Sequence, residues 1–569
     1  MGRHMSAIWL SSYPAGVPGK VDTTGYASLV SLFEESFQKY RDRDAYACLG
    51  KRHTYGQIDR LSRDLAAWLQ GCGLKQGDRV AIMMPNLPQY PVAAAAVLRG
   101  GFIAVNVNPL YTPRELEHQL KDSGAKAIII LENFANTLAD VVARSPIKHV
   151  VVAKTGDLFG FPKRSLVNYV AGKNTPTYSL PGAVWFRRAL AEGARLPFVK
   201  PTIGRDDVAV LQYTGGTTGL SKGATLTHGA LISAVLSSEA WVQPALKRRK
   251  MTGQATFVCA LPLYHVFAFI SCALLAMRIG GLNVLIPNPR DMAGMIKDLA
   301  KYKIHFFPAV NTLFNGLANH ADVGKLNFSE LMVSNGGGTA VQEAVARQWL
   351  KATGCPIVEG YGLSETCSGV TCNPTDSDAF TGTIGLPLPN VEIRILDDEG
   401  KELAVGEAGE IAIRAPQVMS GYWGRPDETA SVMTPDGFFK SGDIGIMDSR
   451  GYIKIVDRKK DMILVSGFNV YPSEVEAVAF EHPGVLECAA IGVPDAKSGE
   501  AVMLFVVRKD PNLRSDDVMS FCKRQLAGYK MPRMVEFRDT LPKTNVGKIL
   551  RRELRDEVMR AKAEIKAAS

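Results

Sequence analysis

No apolar run in the 569 residues is long enough to cross a bilayer. The longest, residues 266–277, covers twelve positions before Arg278, whereas a spanning helix needs about twenty; it reads as a buried core segment. Cysteine is scarce, with nine scattered residues. An odd number without regular spacing excludes a disulfide framework and suits a reducing cytosol. Cys367 and Cys372 have no second ligand pair nearby, so a zinc site is not expected. Repeats of solenoid period are absent, and so is the G-x-x-x-x-G-K-[ST] spacing of a Walker loop. No secretory signal follows Met1-Gly-Arg-His-Met5; residues 1–4 read as an appended leader before a natural start at Met5. Acidic residues are in the minority, 56 against 66 basic ones, for a net charge of +10. From Lys523 onward thirteen basic residues face six acidic ones. That excess favours a polyanionic partner, but without interleaved aromatic stacking positions it argues against nucleic acid.

The chain is too long for one core, so two or more domains are expected, and an apolar content of 46% rules out general disorder. Short β-branched runs at 80–84, 102–107, 126–130 and 149–153 read as strands, and helical patterns occupy 55–71 and 112–123. This alternation predicts an α/β fold with substantial parallel sheet: a large multi-layered N-terminal domain of β-sheets flanked by helices, over residues 5–455. Residues 155–200 break the rhythm as an ordinary surface excursion would; the alternative is that Phe159-Gly-Phe-Pro-Lys-Arg164 offers aromatic and basic groups to an anionic lipid surface. A strand at 451–456 is followed by the charged connection Arg458-Lys-Lys-Asp461. Patterns then restart, with a helix at 473–482 and a strand at 487–493, so a small α+β C-terminal domain is expected at 456–569.

The stretch most suggestive of chemistry is Tyr213-Thr-Gly-Gly-Thr-Thr-Gly-Leu-Ser-Lys-Gly223. Its four glycines let backbone N–H groups approach a polyphosphate where a Cβ would obstruct them. Thr214, Thr217, Thr218 and Ser221 add hydroxyls, and Lys222 adds a cation. The preceding residues 208–213 read as a buried strand, so the loop leaves a strand end, where ligands of α/β folds commonly bind.

This loop resembles the signature of the adenylate-forming superfamily: acyl-CoA synthetases, luciferase and peptide-synthetase adenylation domains. Further motifs follow in the family's order: Leu261-Pro-Leu-Tyr-His-Val266, Ser334-Asn-Gly-Gly-Gly338, Glu359-Gly-Tyr-Gly-Leu-Ser-Glu-Thr366, Lys440-Ser-Gly-Asp443, Val456-Asp-Arg-Lys-Lys-Asp461 and Pro542-Lys-Thr-Asn-Val-Gly-Lys548. The resemblance covers nearly the whole chain. Asp436-Gly-Phe-Phe-Lys-Ser-Gly-Asp443 and Lys543-Thr-Asn-Val-Gly-Lys-Ile-Leu-Arg-Arg-Glu-Leu-Arg555 make it most similar to bacterial long-chain fatty-acyl-CoA synthetases.

The resemblance implies ATP-dependent conversion of a fatty acid to acyl-AMP with release of pyrophosphate, then thioester formation with coenzyme A. Thr214, Gly215, Gly216, Thr217, Thr218, Gly219, Ser221 and Lys222 would cradle the β- and γ-phosphates. Glu365 would ligate Mg²⁺, flanked by the hydroxyls of Ser364 and Thr366. Asp443 would accept from both ribose hydroxyls, with Arg458 beside it. Gly336, Gly337 and Gly338 would let adenine and acyl chain lie against bare backbone, with Tyr361 stacked on the base next to Gly362. His265 matches the acyl-site histidine. Lys548 would hold the reacting oxygens during adenylation and be carried away when the C-terminal lid turns about Asp457. Gly467 would then admit the thiol arm, with Lys530 and Arg533 as contacts for the coenzyme's phosphates. The segment 306–314 would help wall the acyl tunnel. Many members of that superfamily carry Arg-Asn after Leu226-Thr-His228, whereas Gly229 and Ala230 stand here, which leaves helix capping at that point to be found. A cytoplasmic location, with peripheral contact at the inner face of the membrane, and a homodimer are compatible with this reading. Its competitors are a fatty-acyl-AMP ligase loading a carrier protein, a medium-chain or aryl-CoA ligase, and a catalytically dead lipid- or nucleotide-binding relative; the last is opposed by the presence of Lys548, Glu365 and Asp443.

Overall fold

The computed structural model describes residues 7–568 apart from 174, 215–220, 249–250, 467, 496 and 545–548, with side chains described to residue 561. Four sheets organise the described residues. The first has seven strands in the order Val184–Trp185, His149–Ala153, Ala127–Leu131, Arg79–Met83, Ile103–Val107, Val208–Thr214 and Lys222–Thr227. All pair in parallel except the last two, which form an antiparallel hairpin. The phosphate-loop sequence is therefore a hairpin connection; the exit from a strand was legible, the return strand was not.

The second sheet has nine strands, with Ile357–Leu363, Val333–Gly336, Phe306–Ala309, Thr256–Cys259 and Leu282–Leu285 as its parallel centre. Thr256–Cys259, Leu282–Leu285 and Phe306–Ala309 are buried throughout, as expected of parallel strands covered on both faces. An antiparallel four-stranded sheet follows: Glu392–Leu396, Ala408–Arg414, Phe439–Met447 and Ile453–Arg458. The fourth sheet is built from Phe468–Val470, Ile463–Val465, Gly499–Arg508, Val485–Asp495 and Met534–Arg538. One apolar core runs from Trp9 to Ile453, whereas the cores on the two faces of the fourth sheet contain no residue before Ile463.

Local signals explain several of the helices. Thr54 accepts from Gln57 N and is bonded in return, a capping box that starts Tyr55–Gly71. Thr112 and Glu115 form another at Pro113–Ser123, which has Pro at its first position and ends at Gly124 with φ 61°, the left-handed stop that glycine adopts without strain. Gly229 N donates to Arg205 O at 2.8 Å, and a Cβ there would meet that carbonyl at 3.1 Å. Thr227 Oγ1 accepts from Ala230 N, so the helix His228–Arg248 keeps a cap.

Residues 266–277 are core as expected, and include a π-helical turn, Phe269–Leu274. The irregular 155–200 region contains two helices, Lys163–Gly172 and Phe186–Gly193. Phe159 is buried there and unavailable to a lipid surface, while Phe161 is 80% exposed. Among the described residues no helix is long and apolar enough to cross a membrane.

Candidate active site

The two strands of the phosphate-loop hairpin are anchored by one helix. Asp122, on Pro113–Ser123, accepts from the Tyr213 hydroxyl at 2.7 Å and from Arg425 at 2.8 Å. One turn earlier, His118 Nε2 lies 2.9 Å from the Ser221 carbonyl; a carbonyl only accepts, so this nitrogen carries the proton. Thr214 and Lys222 are register partners at the loop end of the hairpin. The Lys222 ammonium pairs with Glu428 and lies 5.3 Å from the centre of the Tyr422 ring. Gly215, Gly216, Thr217, Thr218 and Gly219 lie outside the described residues.

Glu365 sits in a tight turn, Ser364–Thr366, packed against both hairpin strands. Tyr422 donates to Glu365 Oε1 at 2.9 Å, so one tyrosine touches both the metal-ligand candidate and the loop's lysine. Burial raises the Glu365 carboxyl above its ordinary range, against the Tyr422 hydrogen bond. The next two residues, Cys367 and Ser368, have φ of 49° and 83°, consecutive left-handed positions of the kind that store strain at sites. Thr366 is turned inward. Its hydroxyl accepts from Leu363 N at 2.9 Å and donates to Ser368 O at 2.8 Å, fully buried; it locks the turn that presents Glu365.

Asp443 is buried between two partners. Tyr361 donates to its Oδ2 at 2.7 Å, and Arg458 Nε lies 3.3 Å from Oδ1, because Asp443 and Arg458 are register partners on adjacent strands. Burial and the neighbouring carboxylate push the Tyr361 phenol well above its usual range, so it remains a donor.

Beside these groups a pocket of ≈ 240 Å³ opens, with an apolar wall of Trp241, Phe257, Phe306 and Val310. Its other end is formed by Gly337, Gly338, Tyr361, Gly362 and Ser364. A Cβ on Gly362 would sit 1.7 Å from the Ser368 carbonyl, so only glycine lets the two strands close there. Gly336 is not part of the wall: its missing side chain is replaced by Val341 and Ile357 methyls, a packing role set by strand alternation. His265 lines the pocket with its ring 4.8 Å from that of Tyr264. Burial drops its imidazole to about 4, leaving it neutral at physiological pH.

Asp457 is buried and held by Ser473, whose N and Oγ donate to Oδ2 at 2.7 and 2.6 Å. Arg551 lies 3.4 Å from Asp457 and Asp461 and grips Glu476 with two nitrogens at 2.9 and 2.6 Å. Lys548 and Gly467 lie outside the described residues. Next to the latter, the exposed rings of Phe468 and Tyr529 stack at 4.9 Å. Lys530 is paired with Glu474 at 2.7 Å and Arg533 with Asp495 at 3.5 Å, so a phosphate there would compete with a carboxylate.

Sequence reasoning missed His118, Asp122, Arg425 and Tyr422, none of which lies in a quoted motif. It quoted Glu359 without giving it a role. That carboxyl is buried and pushed up to about 8, and accepts from Val341 N at 2.8 Å, tying the segment after Gly338 to the strand that leads to Tyr361.

A family model described as AMP-binding enzyme matches residues 33–423, and one described as AMP-binding enzyme C-terminal domain matches 474–548. A protein of Escherichia coli O157:H7 named long-chain-fatty-acid–CoA ligase is 52% identical over 99% of this chain and 100% of its own. A Bacillus subtilis protein of the same name is 35% identical over 96% and 98%. The solved structure of ATP-bound MatB from Rhodopseudomonas palustris superposes with a TM-score of 0.77 at 29% identity, covering 93% of this chain and 98% of that one.

Proposed function

The chain belongs to the AMP-binding enzyme family, and on that premise we propose that it is a long-chain fatty-acid–CoA ligase. The observation that carries this reading is one continuous pocket. Its polar, glycine-rich end includes Ser364, in the turn packed against the phosphate-loop hairpin, and the rest is an apolar slot fit for an acyl chain. Full-length identity of 52% to a long-chain-fatty-acid–CoA ligase supports the same substrate class.

A fatty carboxylate does not react with a thiol directly because oxide is a poor leaving group. In the proposed reaction its oxygen attacks the α-phosphorus of ATP and the bond to pyrophosphate breaks. The thiol of coenzyme A then attacks the acyl carbon, and AMP leaves with that oxygen while the thiol proton passes to solvent. The hairpin loop grips the polyphosphate, with Lys222 released from Glu428 to face it. Asp443 accepts from the ribose hydroxyls while Tyr361 and Arg458 fix its orientation. Neutral His265 adds no competing charge beside the carboxylate. Lys548 offsets the negative charge that grows on the reacting oxygens.

Glu365 fits magnesium: a half-buried hard-oxygen donor, disfavoured as a bare anion, suits a cation that takes one or two carboxylates plus phosphate oxygens. Magnesium held there would neutralise the departing pyrophosphate. Residues 456–569 act as the lid and 5–455 as the body, turning about Asp457; the division of the apolar cores on either side of 453–463 supports this split. Pyrophosphate release with ATP and Mg²⁺ across a fatty-acid length series, with and without coenzyme A, tests the function. Release peaking at long chains, with acyl-CoA formed only when the thiol is present, is expected. Acyl-adenylate that never passes to coenzyme A would point to a carrier-protein acceptor.

A second observation favours contact with an anionic membrane. Helix Lys163–Gly172 buries no residue; Phe161, Leu166, Tyr169 and Val170 are exposed beside Arg164 and Lys173. Lys163 is already bound to the Leu49 carbonyl, so Arg164 and the apolar side chains make the contact. Replacing Phe161, Arg164 and Tyr169 lowers co-sedimentation with anionic vesicles on this reading; undiminished co-sedimentation rejects it.

A further inference from the structure

Three adjacent parallel strands feed the apolar pocket in matched rows. Leu261, Val310 and Gly337 stand at the C-terminal ends of the strands, level with the segment around Tyr361. Phe257, Phe306 and Val333 stand abreast at the N-terminal ends, as the pairings Phe257 with Phe306 and Phe306 with Val333 require. Four residues separate the rows, a distance of roughly 13 Å at the rise of a strand. The pocket therefore runs down the sheet face, away from the nucleotide end. The Phe257 and Phe306 rings stack 4.2 Å apart and within 1° of parallel, closing two of the three lanes. The third lane ends at Val333.

Beyond that row lies a second cavity of ≈ 60 Å³. Val333 and Thr375 line both cavities, so those two side chains are the wall between them. The Thr375 hydroxyl is spent on the Trp241 carbonyl at 3.0 Å. Ala245, one turn beyond Trp241 on the roofing helix, lines only the second cavity, with Met332 and Val358. Arg248 and Asp378, an ion pair, stand at its solvent side.

Resting on the fatty-acid reading above, we propose that this second cavity is the distal end of the acyl site. The terminal methylenes of the longest substrates pass between Val333 and Thr375 into it, while shorter chains end at the Phe257–Phe306 stack. Val333 and Ala245 are thereby specificity-determining residues: Val333 sets the width of the passage and Ala245 the room beyond it. Excluding one methylene from an apolar site costs about tenfold or more in kcat/KM, so chains that need the second cavity respond steeply and short ones do not.

The test is pyrophosphate release by the full-length protein with decanoate, stearate and behenate. Ala245→Phe fills the second cavity from the side that does not border the main pocket. The stearate-to-decanoate ratio of kcat/KM is expected to fall about tenfold or more. Val333→Ala widens the passage, and the behenate-to-stearate ratio is expected to rise. Ratios equal to wild type in both variants, with decanoate still turned over, overturn the proposal. Should Ala245→Phe fail to fold, Val333→Ala decides alone: a raised behenate ratio supports the passage and an unchanged one rejects it. A wild-type protein that releases no pyrophosphate with any fatty acid would instead reject the parent reading.

Discussion

Replacing Glu359 by Gln isolates the energetic consequence of a carboxyl that the fold keeps protonated. Burial raises it from an ordinary 4.5 to about 8, and its one described hydrogen bond, from Val341 N, offsets only part of that cost. Between these values the unfolded chain has released the proton and the native chain retains it. Stability therefore falls as pH rises, by up to about 1.4 kcal/mol per unit. Across the three units from pH 5 to pH 8 the sum approaches about 4 kcal/mol. Glutamine has no proton to lose and keeps the carbonyl that accepts from Val341. The variant should thus gain on wild type by up to about 4 kcal/mol between pH 5 and pH 8, read from urea unfolding of both proteins at the two values. A stability difference that stays constant with pH would refute the argument, since it would mean that Glu359 ionises alike in both states.

Three further outcomes follow from the site. Asp122→Asn weakens two charge-assisted contacts worth about 1.5–3 kcal/mol each; KM for ATP should rise about tenfold or more, while transfer from supplied acyl-AMP to coenzyme A is unaltered. Equal loss in both half-reactions would show that the helix does more than anchor the loop. Lys548→Ala should cost about 10²–10³ in adenylation and spare thioester formation from preformed acyl-AMP; parallel loss of both contradicts the division of labour assigned to the lid. Arg551→Ala leaves Glu476 and Asp457 buried without their cation, at about 3–5 kcal/mol. Hydrogen exchange in strands Val485–Asp495 and Gly499–Arg508 should accelerate accordingly, and unchanged protection would exclude Arg551 as the clamp.

Period and capping signals made much of the body legible. Helix Tyr55–Gly71 and strand His149–Ala153 fall where the pattern places them, because a capping box and a continuous apolar run are local features. The groups that support the site were not legible, because each acts across the chain: Arg425 and Asp122 are 303 residues apart, Tyr422 and Glu365 are 57 apart. Motif membership also carries no direction. Gly336 and Gly337 are neighbours, yet one packs against Val341 and the other opens onto the pocket, since successive strand residues face opposite ways. Thr366 likewise belongs to the motif but turns its hydroxyl back onto its own backbone.

In the proposed reaction a fatty carboxylate attacks the α-phosphorus of ATP within this pocket and surrenders that oxygen to AMP. Palmitate carrying oxygen-18 in its carboxylate, turned over with ATP, Mg²⁺ and coenzyme A, reads it directly by mass spectrometry of the products. The account predicts one labelled oxygen in AMP and none in pyrophosphate. Label in pyrophosphate or inorganic phosphate, or AMP formed without label, would contradict it.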